Sequence, residues 1–462
     1  MKIELVTVLA LALLSPCLTK GQVTVFPDQP AGPVRDMHGV NNPPTPGRIN
    51  WFKAAHIPYM RPHDAAHYSS YGGSHTIDIT GIFPDFSKDP DDPASYDFHY
   101  TDQVLANTVA ADCKILYRLG QSIEHGKGKK YGVIPPADYL KWAKICEHVI
   151  RHCNEGWANG HRWNIRYWEI WNEPDIERGE DRWKTDPRMW GGPKEEFYKF
   201  YCVAAKHLKK CFPDLMIGGP AVTGGMNAEG IAWIDGFFKA INQEKAPLDF
   251  FSWHSYAKEP AQVLRRNEIV DSLLTVYGRM DAESILDEWN YVIQWTETSP
   301  ESAKVRFTEK AAAFIMATMI SVQQETRVEK MMFYDFRPRT SYNNVFDPVD
   351  GKPLSAYYPF YIWGKLAEYG ETVKVEVDEP NLYAVAARNP EGRLRIAVCR
   401  YTDDNNDLYS KVLYLKVAGR NLETTVGKMT DAHYLYTEIP VFASKGRLQL
   451  YMEPRSFLMI DL

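Results

Sequence analysis

Between residues 35 and 370 the sequence alternates eight short apolar runs with segments of helical periodicity, and few folds accept that rhythm. The strand candidates are residues 37–41, 57–62, 114–119, 166–171, 215–219, 248–254, 284–288 and 331–336. Between them, residues 138–153 put Tyr139, Ala143, Cys146, Val149 and Cys153 on one helical face, behind Pro135-Pro136 and an Asp138 cap. Residues 194–211, 261–277 and 308–324 behave similarly. No glycine-rich nucleotide fingerprint follows any strand, so eight strand-then-helix units predict an α/β fold of the (β/α)8 TIM-barrel kind rather than an open doubly wound sheet. Such a barrel does its chemistry at the C-terminal ends of its strands. Arg61-Pro-His63, Glu173, His254 and Glu288 all fall on that rim.

After about residue 371 the texture changes to short, partly alternating runs at 372–377, 382–387, 394–401, 411–417, 447–452 and 456–460, separated by Gly, Asn, Asp and Pro. That pattern predicts a C-terminal β-sandwich over 371–462, with residues 22–34 returning to pair with it. Residues 1–21 carry a short apolar stretch behind Met1-Lys2 and end in Thr19-Lys20-Gly21, which is the form of a secretory signal. The expectation is a secreted or periplasmic protein. Leu14-Ser-Pro-Cys17 is a poor lipoprotein signal because a proline precedes the cysteine. No run is long enough to span a bilayer.

A net charge of -6 gives no basic field for phosphates, which argues against nucleic acid as a partner. Thirteen Trp and 27 Tyr supply a core with aromatic faces left over, and such faces stack on sugars. Cys113, Cys146, Cys153, Cys202, Cys211 and Cys399 sit mostly at apolar positions, so buried free thiols are expected rather than a disulfide framework. Cys146, His148, His152 and Cys153 look like metal ligands, but the helical period turns His148 about 200° from Cys146. Neither a metal nor a cofactor is expected, and the sequence sets no oligomeric state.

The stretch Trp168-Glu-Ile-Trp-Asn-Glu-Pro-Asp175 places Glu173 where a strand ends, and Glu288 ends another. Two carboxyl groups across one cavity are what glycoside cleavage requires, about 5–5.5 Å apart when the configuration is retained. Asn172 beside the acid is suited to bond a sugar 2-hydroxyl. Together with Ile285-Leu-Asp-Glu-Trp-Asn290, this stretch resembles the retaining glycoside hydrolases of clan A, most closely family 39, the β-xylosidase and α-L-iduronidase family. Tyr59-Met-Arg-Pro-His63, Gly218-Gly-Pro220 and Asp249-Phe-Phe-Ser-Trp-His-Ser-Tyr256 extend the likeness over roughly residues 35–370. The resemblance implies that Glu173 is the general acid/base and Glu288 the nucleophile, with Asn172, His63 and His254 lining the sugar subsite. Together with the signal-like residues 1–21, it leads to the expectation of an exported, β-xylosidase-like enzyme acting on plant oligosaccharides and polysaccharides. Arabinosidase, galactosidase and uronidase specificities, or a non-catalytic carbohydrate-binding protein on the same barrel, are the alternatives.

Two departures from the family pattern stand out: Asp287 before the nucleophile, and Pro62 between Arg61 and His63. Strand alternation sends Asp287 away from the cavity into the helix layer. Glu169 shares the facing of Glu173 but lies deeper, either as an interior ion-pair partner, with Arg61 the candidate, or as a helper that tunes pKa. Hydrophobic walls and the Glu288 charge are expected to raise the pKa of Glu173. Tyr256 is a candidate hydrogen-bond donor to Glu288, and Trp289 and Tyr334 are candidate platforms under a sugar ring. His63, His254, Trp289 and Tyr334 have core roles as their competing reading. Trp183 and Trp190, in the long loop 177–193, are candidates for a wall of the cavity. Arg337 and Arg339 are the cations a uronidase would need.

Overall fold

In the computed structural model the described residues are 21–64, 76–124, 130, 132–177, 182–224, 226–295, 300–337, 340, 342 and 345–462. Eight of the strands close into a barrel in chain order, β2 (Asp36–Asn41), β3 (Tyr59–Arg61), β4 (Lys114–Leu119), β5 (Tyr167–Ile170), β6 (Met216–Val222), β7 (Phe250–Ala257), β8 (Glu283–Tyr291) and β9 (Val328–Phe333). Neighbours are parallel throughout. Every predicted barrel strand has its counterpart here. The helices agree closely too: Tyr139–Asn154 is capped by Asp138, whose Oδ1 accepts from Lys141 N at 2.9 Å, and Lys194–Cys211 has the predicted bounds.

The barrel interior is stacked in layers by the two-residue period of its strands. Tyr59, Leu116, Tyr167, Phe250, Ile285 and Met332 form an apolar plug near the strand beginnings. Two residues further along each of four of these strands stand Arg61, Arg118, Glu169 and Asp287, all fully buried. A floor of apolar side chains thus carries a layer of buried charge, and the site rests on that layer.

The remaining strands are β1 (Gln22–Pro33), β10 (Glu371–Val377), β11 (Leu382–Arg388), β12 (Leu394–Arg400), β13 (Lys411–Val417), β14 (Thr425–Thr430), β15 (Thr437–Val441), β16 (Ala443–Ser444), β17 (Arg447–Met452) and β18 (Ser456–Asp461). They are hydrogen-bonded as one ten-stranded sheet in the order β15-β14-β18-β12-β11-β10-β1-β13-β17-β16. The sandwich reading is thereby refined. Side chains from both arms, among them Val25, Ala386, Leu415, Met429, Leu450 and Ile460, meet in one apolar core, so a single sheet folds over on itself. β1 lies inside it, antiparallel to β10 and parallel to β13.

Helix Glu309–Glu325 is the mortar between the two parts. Residues 310–323 are buried without interruption, as an all-round apolar helix must be. Its barrel side meets β8 aromatics, with Phe314 5.6 Å from Tyr291, and its other side meets the sheet, where Cys399 Sγ donates to Ala313 O at 3.3 Å. The six cysteines among the described residues are free thiols, and all but Cys211 are buried.

Candidate active site

Arg61 is the hub. Its Nη1 donates to Glu288 Oε1 at 2.9 Å and to Asn41 Oδ1 at 3.1 Å, Nη2 donates to Asn172 Oδ1 at 2.7 Å, and Nε lies 2.7 Å from Glu169 Oε2 and 3.1 Å from Asp287 Oδ2. Burial opposes its charge, but Glu169, Asp287 and Glu288 more than compensate and hold it protonated. Asn172 is oriented by that contact, its Oδ1 committed to Arg61.

The two acids of the motif stand on different backbones. Trp171 and Glu173 both adopt left-handed φ, 78° and 43°, a strain of about 1–3 kcal/mol each that tends to persist where function requires it. The turn rotates Trp171 out among Trp142, Trp190 and Phe200, and Glu173 N donates to Ala221 O at 2.9 Å. Simple parity with Glu169 therefore does not carry as far as Glu173, because the strand has already ended at Ile170.

On β8 the alternation expectation fails. Trp253 pairs with Leu286 and His254 with Glu288, so Asp287 is an extra residue, a β-bulge, and both Asp287 and Glu288 turn inward. Trp289 follows the inward Glu288 on a regular stretch of β8 and so faces the other way. It points into the helix layer, fully buried, 5.2 Å from Phe333 and 6.3 Å from Phe314, and is no sugar platform.

His254 sits between the acids. Its Nδ1 is 2.8 Å from Glu173 Oε1 and 3.5 Å from Glu288 Oε2, and its Nε2 is 3.6 Å from Asp287 Oδ1. Burial disfavours the imidazolium, but Glu288, Asp287 and Glu173 overcome it and lift its pKa well above the ordinary value. His63 is the opposite case: burial, with Arg61 and Arg118 nearby, holds it neutral. Arg118 Nε donates to His63 Nδ1 at 3.2 Å, so the proton is on Nε2, 3.7 Å from Glu288 Oε1.

Burial and the Asp287 charge push the Glu169 pKa well up, while Arg61 and His254 hold Asp287 below its usual value despite burial. Glu288 is pushed up to about 7, chiefly by burial and also by Glu173, against the pull of His254, Arg61 and the Tyr256 hydroxyl. Tyr256 Oη donates to Glu288 Oε2 at 2.8 Å, so both Glu288 oxygens are held. One oxygen of Glu173, one of Glu288 and a ring nitrogen of His254 all lie within 4.8 Å of one another. Glu173 is the more open of the acids, its side chain 16% exposed against 6% for Glu288.

Tyr334 closes the cavity beside His63 and Tyr256, its ring 6.3 and 6.4 Å from theirs and its hydroxyl bonded to Asp64. Trp190 is buried in the core, and of loop 177–193 residues 178–181 lie outside the described residues. Glu177 pins the end of that loop through Arg188 N at 2.9 Å. Arg337 is paired with Asp335 and Asp64, at 2.9 and 3.3 Å, which leaves little charge for a sugar carboxylate. Arg339, like Cys17 and the signal segment, lies outside the described residues. Sequence reasoning missed Arg118, Asp64 and Trp295. Arg118 was visible as a lone cation at an inward position of an apolar strand. Trp295, 60% exposed and edge-on to Tyr256 at 4.9 Å, had no such signal.

Residues 57–327 match the family model described as Glycosyl hydrolases family 39. The β-xylosidase of Geobacillus stearothermophilus is 29% identical over 194 residues, 39% of this chain and 35% of that protein. The β-xylosidase of Caldicellulosiruptor saccharolyticus is 24% identical over 296 residues, 58% of this chain and 54% of that protein. The chain thus matches from about a third to about half the length of these relatives. Among solved structures, a glucosidase from Croceicoccus marinus superposes with a TM-score of 0.74 over 96% of this chain and 98% of its own, at 22% identity, a likeness of fold.

Proposed function

The chain belongs to glycosyl hydrolases family 39, and from that premise we propose that it hydrolyses O-glycosidic bonds with retention of configuration at the anomeric carbon. The observation that carries this reading is the separation of the two acids, whose nearest relevant oxygens lie within 4.8 Å. Retaining enzymes hold their carboxyl groups about 5–5.5 Å apart, whereas inverting ones leave about 6.5–9.5 Å for a water. Glu288 attacks the anomeric carbon while Glu173 gives its proton to the departing oxygen. A glycosyl ester on Glu288 results. Glu173 then takes a proton from water as that water attacks the same carbon, and Glu288 leaves as carboxylate. Arg61 and Tyr256 hold the nucleophile's two oxygens, and Asn172 offers its Nδ2 to a hydroxyl of the sugar.

The two β-xylosidase relatives support a β-xyloside substrate from plant oligosaccharides or polysaccharides. The pairing of Arg337 with two aspartates weighs against a uronide. Residues 1–21 act in this reading as a secretory signal, so mass spectrometry of the exported protein should find a new N-terminus near Gln22; a retained leader would refute export. For the chemistry, an aryl β-xyloside followed by NMR should give the β-anomer first. An α-anomer as first product overturns the mechanism, and so does near wild-type turnover in both Glu173→Ala and Glu288→Ala.

A further inference from the structure

Away from the barrel mouth, one carboxylate faces two imidazoles. Asp102, in the first turn of helix His99–Ala110, has Oδ1 2.9 Å from Nε2 of His152 and Oδ2 3.2 Å from Nε2 of His161. His152 belongs to helix Tyr139–Asn154, and His161 to the loop that follows it. The sequence had ruled out a metal among the helix's own Cys146, His148, His152 and Cys153, but His152 finds other company in three dimensions.

The hydrogen bonding of His152 fixes its tautomer. Nδ1 lies 2.9 Å from Trp157 O, and a carbonyl only accepts, so Nδ1 carries a proton. In a neutral ring Nε2 is then a bare lone pair, aimed at a carboxylate oxygen that is also an acceptor. Two acceptors at 2.9 Å require a cation between them, a proton or a metal ion. The second ring repeats the problem: His161 Nε2 is a buried atom that makes no hydrogen bond, since its approach to Asp102 lacks the required alignment. A backbone carbonyl on Nδ1 with Nε2 left free is how metal-binding histidines are commonly oriented.

Both rings are held in place. His152 stacks on Phe98 and His161 on Trp163, at 3.6 and 3.8 Å between centroids and 5° between planes in each case. The loop closes tightly over the Nδ1 side of His152; a Cβ at Gly160 would lie 2.6 Å from that nitrogen. All three donor atoms lie within 4.8 Å of one another. Tetrahedral zinc bonds of about 2.0–2.1 Å put neighbouring ligands about 3.3–3.4 Å apart; the His161 contact, 3.2 Å from Oδ2, is close to that, and the His152 contact, 2.9 Å from Oδ1, is shorter and would open as the ion enters. The side chains of Asp102 and His161, 28% and 33% exposed, leave a way in for the ion and for a water as fourth ligand.

We propose that Asp102, His152 and His161 form a binding site for a divalent transition-metal ion, zinc above all, which clamps helix His99–Ala110 to helix Tyr139–Asn154 and its following loop. The ion is structural and separate from the glycosidic chemistry.

The test uses the full-length protein, stripped of metal and titrated with Zn2+ by calorimetry, with the melting temperature followed in parallel. The expected result is a Zn2+ ion bound at this site and a rise in melting temperature. Affinity should fall at least about tenfold in both Asp102→Asn and His161→Gln, while Cys211→Ser, in the separate Glu147–His207–Cys211 cluster, should keep it. Both substituted side chains are partly exposed, so the variants are expected to fold, which circular dichroism checks. Zn2+ binding and stabilisation unchanged in both variants overturn the proposal. So does wild-type protein that neither binds Zn2+ nor melts higher with it, because the carboxylate then holds only protonated imidazoles.

Discussion

Arg61 and Tyr256 each hold one oxygen of Glu288, yet burial and the neighbouring Glu173 still push that carboxyl up to about 7. A nucleophile must be ionised, so kcat/KM should rise with pH through an acid limb near 7. The Tyr256 hydroxyl lowers the Glu288 pKa. Tyr256→Phe should therefore move the limb to higher pH and cost roughly 10²-fold in kcat, read from pH–rate profiles; a limb that moves lower would contradict this account. Trp295 is the exposed ring edge-on to Tyr256, whereas Trp289 is buried in the helix layer. Trp295→Ala should raise KM for xylo-oligosaccharides several-fold while changing kcat less, in steady-state assays. Motif spacing made Glu173, Glu288 and Tyr256 legible because each ends or follows a strand. Asp287 was misread because alternation counted back from Glu288 assumes an unbroken pleat, and the extra residue in β8 leaves no mark in composition, whereas Trp289 faces away from Glu288 as plain alternation requires.

At the level of elements, periodicity located the eight barrel strands and the long helices, since each must bury a face of fixed period. Helix Glu309–Glu325 was legible as a helix with one apolar face, whereas the structure buries it on every side. What it is buried against was not, because both partners, β8 and the ten-stranded sheet, are brought there by long-range topology. Packing this close leaves no room for added volume. Ala317→Leu should cost about 1–3 kcal/mol, seen as a lower denaturant midpoint at unchanged slope. The sheet was read as a sandwich because two-residue alternation reports that a strand has an inner face. It does not report whether the two arms are hydrogen-bonded into one sheet.

At the scale of the whole molecule, the strand that carries the nucleophile is tied to the sheet. Asp403 receives Tyr291 Oη at 2.6 Å, Lys310 Nζ lies 2.6 Å from its Oδ1, and Lys258 Nζ lies 3.0 Å from its Oδ2. Tyr291 ends β8, three residues beyond Glu288. Asp403→Ala removes a partner from the covered Lys310, which keeps the backbone carbonyl of residue 403 and Asn405, and from the more exposed Lys258, and should cost about 1–3 kcal/mol. Loss of activity and of near-ultraviolet dichroism should coincide along a denaturant titration, and an early loss of one signal would mean that the parts unfold separately. None of this seam was readable from the sequence, which shows that Asp403 is charged but not what faces it. The place of β1 also bears on how the chain is made. β1 lies between β10 and β13, so its first partner arrives only when Glu371–Val377 has been synthesised and its second only with Lys411–Val417. Pro27 and Pro30 interrupt its run of amide donors, and the register slips between Phe26 and Pro30. A newborn strand so interrupted is a poor template for another chain, which protects it while its partners are still being translated.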